Sequence, residues 1–209
     1  MKYNIDTFSF LNQPLYIAEL VQFDESKVCY QKFLSSEELN ILAKRKKKQK
    51  KIEFIFSRYI IKKTLGINEP QAKKVTIKYC NSTGITGVFQ QNKLKQKLSL
   101  SHSGNFFAFS FCALGESIGV DIEVITNRDV KAIITEFFCE EDKDLIKIND
   151  DSTKFFYQLW TEKEAIAKLT NTSIFTLLAH SSAKLNSHYN IKSTTYKNFA
   201  TSLAILDKN

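Results

Sequence analysis

Two acids one residue apart, Asp121 and Glu123 in the run GVDIE, are the first candidates for chemistry in this chain. On an extended strand their side chains share one face, and Val120 and Ile122 take the other. Carboxylates so placed repel each other unless water or a cation separates them. A third acid, Glu164, lies in the run WTEKEAIAK, with Lys168 one helical turn beyond it on the same face. Three carboxylates with coordination positions left open suit a Mg²⁺ that completes its shell with water and phosphate oxygens. The plainer reading of each feature alone is a solvated acidic strand face and an ordinary surface ion pair. Ser101-His102-Ser103 precedes Gly104 and reads either as a polar turn or as a binding turn. Arg58 sits inside an apolar helical pattern, where a guanidinium calls for an anion. A bidentate phosphate contact would supply one; the alternative is a basic face turned to water.

These residues need elements to hold them. Residues 155–168, FFYQLWTEKEAIAK, lack Gly and Pro and repeat apolar residues at three- and four-residue steps, which predicts a helix. The run Asp150-Asp151-Ser152-Thr153 caps it, and Trp160 anchors its packing on the Glu164 face. Residues 117–124 read as the strand that carries Asp121 and Glu123. Residues 97–101 and 106–114 read as a hairpin around Ser103-Gly104-Asn105. A second long helix over 49–65 carries Arg58, ends at Gly66, and gives way to a loop at Asn68-Glu69-Pro70. Its expected buried stripe is Phe54, Ile55, Tyr59, Ile61 and Leu65. Ser35 or Ser36 caps a helix beginning near Glu37. Strands are expected over 14–23 and 75–79, turns at Gly84 and Gly87, and a helix over 133–147. Strands return after Asn171, over 183–185, 189–195 and 199–206. The order strand, helices, strands occurs twice. It predicts an α+β fold of two similar halves, 1–107 and 108–209, with no Pro- or Ser-rich linker between them.

Composition narrows the function classes. The 209 residues are 43% hydrophobic with 17 Phe, enough for a real core and too apolar for a disordered chain. The formal net charge is +8. The run KRKKKQKK, from Lys44 to Lys51, holds seven of the 30 basic residues; removing them leaves 23 against 22 acidic residues. One cationic stretch on a nearly neutral body points to an anionic partner at one place. Cys29, Cys80, Cys112 and Cys139 form no CxxC pair and suit reduced thiols in the cytoplasm. The N-terminal residues lack the uninterrupted apolar core of a signal peptide, and no window reads as a membrane span.

The runs LSLSHSGNFFAFSF, GVDIEVITNR and FYQLWTEKEAIAK, in that order, resemble the 4′-phosphopantetheinyl transferase superfamily. Its marks are an SHS turn, a G-[VI]-D-[IV]-E strand and a W-[ST]-x-K-E-A-x-x-K helix. The stretch from Glu53-Phe54 to Arg58 and Leu65-Gly66 is similar to the family's E-F-x-x-x-R…L pattern, so the resemblance covers about Gln49 to Lys168. Two halves in one chain match the two-domain type that activates peptide synthetase and polyketide synthase carriers. That type acts as a monomer of pseudo-twofold halves with its active site in the cleft between them. The resemblance implies transfer of 4′-phosphopantetheine from coenzyme A to a serine of an apo acyl or peptidyl carrier protein, with release of 3′,5′-ADP. It implies Asp121, Glu123 and Glu164 as Mg²⁺ ligands, with Asp121 beside the bound coenzyme A. Glu164 becomes the best candidate to take the serine proton, with Glu123 or a metal-bound water as the alternatives. Lys168 is assigned to the phosphates and the transferred group, Ser101 and His102 to the 3′-phosphate of coenzyme A, and Arg58 and Lys50 to phosphate contacts.

Two places depart from the family. Gly84-Ile85-Thr86 stands where Gly-Lys-Pro is frequent, with Lys93, Lys95 or Lys97 as a substitute for its lysine. Leu169-Thr170-Asn171-Thr172 stands for a Gly-x-Gly turn, and Asn171 tolerates the left-handed conformation such a turn needs. Two other functions compete with catalysis. One is a non-catalytic module that binds coenzyme A or a carrier. The other is a nucleic-acid-binding protein using residues 44–51, which leaves the acid runs unexplained and shows no stacking aromatics among the lysines.

Overall fold

Nine strands and eight α-helices are assigned among the described residues, which in this computed structural model are 2–22, 29–80 and 85–206. Strand β1 (Lys2–Phe10) turns through Leu11 and Asn12, at φ 53° and 60°, into β2 (Gln13–Gln22). Two residues at positive φ are what a tight hairpin demands, because that backbone twist matches the twist of the flanking strands. The sequence reading placed no element on β1.

The chain divides into two compact units, Met1–Asp6 with Ala18–Leu98, and Thr7–Ile17 with Ser99–Asn209. The first unit holds helices α1 (Ser36–Ala43), α2 (Lys48–Thr64) and α3 (Glu69–Ala72). Its strands are β3 (Val75–Cys80), β4 (Ile85–Gln90) and the start of β5 (Lys93–Ser103). Ser35 caps α1 with a reciprocal pair of bonds: its hydroxyl accepts from Glu38 N, and Glu38 accepts from Ser35 N. Glu38 is fully buried and holds the equally buried Lys62 of α2 at 2.6 Å. The Lys62 ammonium also donates to Phe33 O and Ala72 O, which occupies all three of its N–H groups. The buried face of α2 is Phe54, Ile55, Phe56, Ser57, Ile60, Ile61 and Lys62. Tyr59 and Leu65, expected in that stripe, are half-buried.

The second unit holds the end of β5, β6 (Phe106–Cys112), β7 (Ile118–Val124), α4 (Lys131–Phe137) and α5 (Glu140–Ile148). It continues with α6 (Ser152–Thr170), α7 (Ile174–Leu178), α8 (Ser182–Asn186), β8 (Tyr189–Tyr196) and β9 (Phe199–Leu206). Gly104, at φ 56°, turns β5 into β6, as the hairpin reading requires. Strands β7, β9 and β8 form an antiparallel sheet in that order, and β1-β2-β6-β5-β4-β3 is the order of the six-stranded sheet. Residues Phe106, Val120, Ile122, Phe199 and Leu203 share one core cluster. The α+β class is as expected.

Four local expectations fail. Glu69–Ala72 is a short helix with Pro70 in its first turn, where a missing N–H does no harm. Residues 133–147 are not one helix but α4 and α5, parted at Phe138 and Cys139, both of extended backbone. Residues 183–185 lie in helix α8, and α7 precedes it where no helix was expected. Gly87 lies inside β4, where a Cβ would stand 2.3 Å from Leu94 Cδ1, so close packing and not a turn calls for glycine. The Gly84 turn and Phe23 lie outside the described residues. Among the described residues, no helix is long and apolar enough to cross a membrane.

Candidate active site

Helix α6 is capped at both ends. Asp151 caps it by accepting from Lys154 N at 3.0 Å, and Asn171 ends it in the left-handed conformation at φ 55°. Its inner face packs on β7 and β9, with Phe156, Leu159, Ala165 and Ile166 buried. Trp160 is half-buried and its ring lies 5.8 Å from that of Phe156, which is the packing role expected of it.

The approach of α6 to β7 explains the first residue of GVDIE. A Cβ at Gly119 would stand 1.8 Å from Ala165 O and 2.9 Å from Leu169 N. Only glycine lets strand and helix backbones come this near. Asp121 and Glu123 are the next two residues on the same pleat face as Gly119, while Val120 and Ile122 are fully buried opposite. Asp121 is buried at 3% exposure. Its Oδ1 accepts from Lys168 Nζ at 2.7 Å and from Ser101 Oγ at 2.7 Å. Lys168 also donates to Val120 O at 3.1 Å. Asp121 Oδ2 is buried with no hydrogen-bond partner. Glu123, half-buried, accepts from Ser103 Oγ at 2.8 Å.

Burial, then the charges of Asp121 and Glu123, push the Glu164 carboxyl above the ordinary glutamate range, with Lys168 opposing. Burial likewise raises Glu123; the Ser103 hydrogen bond, Arg128 and Lys168 oppose, and Asp121 adds to the rise. The three acids therefore share one field with Lys168. Among the described residues, no three acidic, histidine or cysteine side chains are gathered as a metal-holding cluster. The acids form an electrostatic site and not an assembled coordination sphere. Their chemistry nevertheless fits Mg²⁺: hard oxygen donors, and at Asp121 Oδ2 an uncompensated lone pair in a buried place.

The SHS run lies at the end of β5. Ser101 and Ser103 point to the acids, and the exposed His102 packs its ring 5.6 Å from Phe107. Lys50 and Arg58 belong to the first unit. Arg58 lies over the Phe54 ring at 4.1 Å and donates to Ser57 Oγ at 3.0 Å and to Ile77 O at 3.3 Å. Its Nε is buried without a hydrogen-bond partner. Burial, with some help from Arg45, lowers its pKa to about 10 against the pull of Glu38, so it stays cationic at neutral pH. Lys50 is exposed and pairs with Glu53 at 2.7 Å.

Residues 117–204 match the family profile described as the 4′-phosphopantetheinyl transferase superfamily. A protein of Synechocystis sp., provisionally named a 4′-phosphopantetheinyl transferase, is 28% identical to this chain over 151 residues. That alignment covers 69% of this chain and 60% of the cyanobacterial protein. Over residues 117–204 the chain is similar to that superfamily, and it spans less than two thirds of the length of the cyanobacterial relative. The matched stretch contains Asp121, Glu123, Glu164 and Lys168 and stops short of Lys50, Arg58, Ser101 and His102.

Three features escaped the sequence reading. Lys163, between the two glutamates of the TEKEA run, is buried and pairs with buried Asp142 at 2.8 Å. It also donates to Leu177 O and His180 O, so it holds the helix in place and does not face the acids. Arg45 shares the Phe54 ring with Arg58 at 4.7 Å, and its Nε is also buried without a partner. Ser99, Ser101 and Ser103 repeat at the strand period of two, a visible signal whose target on β7 was not.

Proposed function

We propose that the chain transfers the 4′-phosphopantetheine group of coenzyme A to a serine of an apo acyl or peptidyl carrier protein. The observation that carries the reading is the Asp121–Lys168 pair beside Glu164, with Asp121 Oδ2 left uncompensated. The serine oxygen forms a bond to the phosphorus that bears pantetheine, and the bond from that phosphorus to the adenylate half breaks, releasing 3′,5′-ADP. Glu164 takes the serine proton; its raised pKa makes it a stronger base than an exposed glutamate. Glu123, also raised, is the alternative base. Lys168 keeps one N–H beyond those given to Asp121 and Val120, and offers it to the transferred phosphoryl oxygens. Asp121, Glu123 and Glu164 would hold Mg²⁺, which neutralises charge on the pyrophosphate when bound. Arg58, with Arg45 beside it, and Lys50 and His102 take the remaining phosphate charge of coenzyme A.

Five of the basic residues of the 44–51 run are exposed: Lys44, Lys46, Lys47, Lys48 and Lys50. They speed encounter with an acidic carrier. The four cysteines are thiols, in keeping with a cytoplasmic enzyme. Resemblance to the two-domain type supports a chain that acts as a monomer.

Intact-mass spectrometry tests this directly. Apo carrier, coenzyme A, Mg²⁺ and this protein should yield a carrier heavier by one phosphopantetheine. The gain should vanish with a chelator and in Glu164→Gln. Coenzyme A binding without any mass gain across several carrier classes would replace the transferase with a binding module. No coenzyme A binding, with salt-sensitive binding to nucleic acid, would sink the site.

A further inference from the structure

Strand β7 is an edge of its three-stranded sheet: one side pairs with β9 and the other has no strand partner in that sheet. Edge N–H groups left open are a liability. Here serine hydroxyls of β5 take them. Ser99 Oγ accepts from Val120 N at 2.8 Å, and Ser103 Oγ accepts from Val124 N at 3.0 Å. Between these two anchors the same face of β5 reaches the acids. Ser101 Oγ donates to Asp121 Oδ1 at 2.7 Å, and Ser103 Oγ donates to Glu123 Oε2 at 2.8 Å. A hydroxyl has one proton to donate. In this structure the Ser101 proton goes to Asp121, so the hydroxyl orients that carboxylate.

We propose that Ser101 and Ser103 are positioning residues for the acid site: they fix the rotamers of Asp121 and Glu123. This rests on the transferase reading for the identity of the site. A hydroxyl on one carboxylate oxygen directs the other oxygen, and at Asp121 that other oxygen is the buried, uncompensated Oδ2. Such supporting hydrogen bonds hold ligands in place before a metal arrives. Ser99 accepts from the backbone of β7 at Val120 N, and among the described residues no hydrogen bond joins it to the acids.

Two probes separate the possibilities: Mn²⁺, followed by electron paramagnetic resonance, and coenzyme A against 3′-dephospho-coenzyme A, compared by calorimetry. Ser101→Ala and Ser103→Ala should each weaken Mn²⁺ binding about tenfold. The ratio of the two coenzyme affinities should stay at the wild-type value in Ser103→Ala. Ser101→Thr, which keeps a hydroxyl, should restore Mn²⁺ binding. Ser99→Ala should lower the unfolding midpoint and leave Mn²⁺ binding intact. The assignment is overturned if Ser101→Ala erases the preference for the 3′-phosphate and spares Mn²⁺. It is also overturned if Ser99→Ala weakens Mn²⁺ as much as the other two, since the serines would then act only by holding the strand. Wild-type protein that binds neither Mn²⁺ nor coenzyme A would instead refute the transferase reading, and this assignment with it.

Discussion

Gly119→Ala should damage stability and activity through a single contact. The added Cβ would stand 1.8 Å from Ala165 O, with Ala165 C at 2.8 Å and Leu169 N at 2.9 Å. Carbon needs about 3.5 Å from a non-bonded neighbour, so α6 and β7 must part by about 1.5 Å or more. All three neighbours are helix backbone, and no side chain can rotate away. Overpacking of this kind costs about 1–3 kcal/mol, and a rigid wall puts the expected loss near the upper figure, about 3 kcal/mol. The same displacement moves Glu164, which adjoins Ala165, relative to Asp121. A misplacement of about 1 Å costs a reaction about 100-fold. Urea unfolding gives the stability, and the initial rate of carrier mass gain per folded molecule gives the activity. Gly115→Ala is the control, because a Cβ there meets nothing within 4 Å. Wild-type stability and rate in Gly119→Ala would refute the argument that the backbone approach places the acids.

Lys163→Met should destabilise the fold by about 3 kcal/mol, because it leaves the buried Asp142 carboxylate without its cation; an unchanged unfolding midpoint would count against a structural role for this lysine. In the metal-free protein the Glu164 carboxyl should titrate above the ordinary glutamate value of about 4.3, followed by NMR of its side-chain carboxyl carbon, and a midpoint at or below that value would refute the burial argument. The folded pKa of Glu164 lies above its unfolded value, so its contribution to stability is greatest below the unfolded value and is lost as pH rises through the folded one. Glu164→Gln should therefore stabilise the protein more at pH 7 than at pH 4, read as unfolding midpoints at the two pH values. By calorimetry, Arg58→Gln should weaken coenzyme A binding about tenfold, as for loss of a charge-assisted contact. Lys50→Gln, at an exposed site already paired with Glu53, should change it less than about threefold.

The candidate site was legible in part because its signals are local. Alternation in GVDIE fixes which side chains share a face, and that is a property of any extended strand. The α6 helix was readable from its cap at Asp151, its apolar spacing and its end near Asn171. The third acid and Lys168 follow from helical spacing alone.

Short elements were the weak point. Helices α7 and α8 have five residues each, too few for propensity to outweigh what they pack against. Leu177, Leu178 and Leu185 are buried there, and burial sets the local state. The sequence alone determined the α+β class, the long helices and the acids on β7 and α6. Tertiary structure decided which charges meet. Lys163 turned to Asp142, Lys168 to Asp121, and the serines of β5 to a strand some twenty residues away. Charge pairing depends on distances between elements, and those distances are set by packing details such as the missing Cβ of Gly119, which no local spacing encodes.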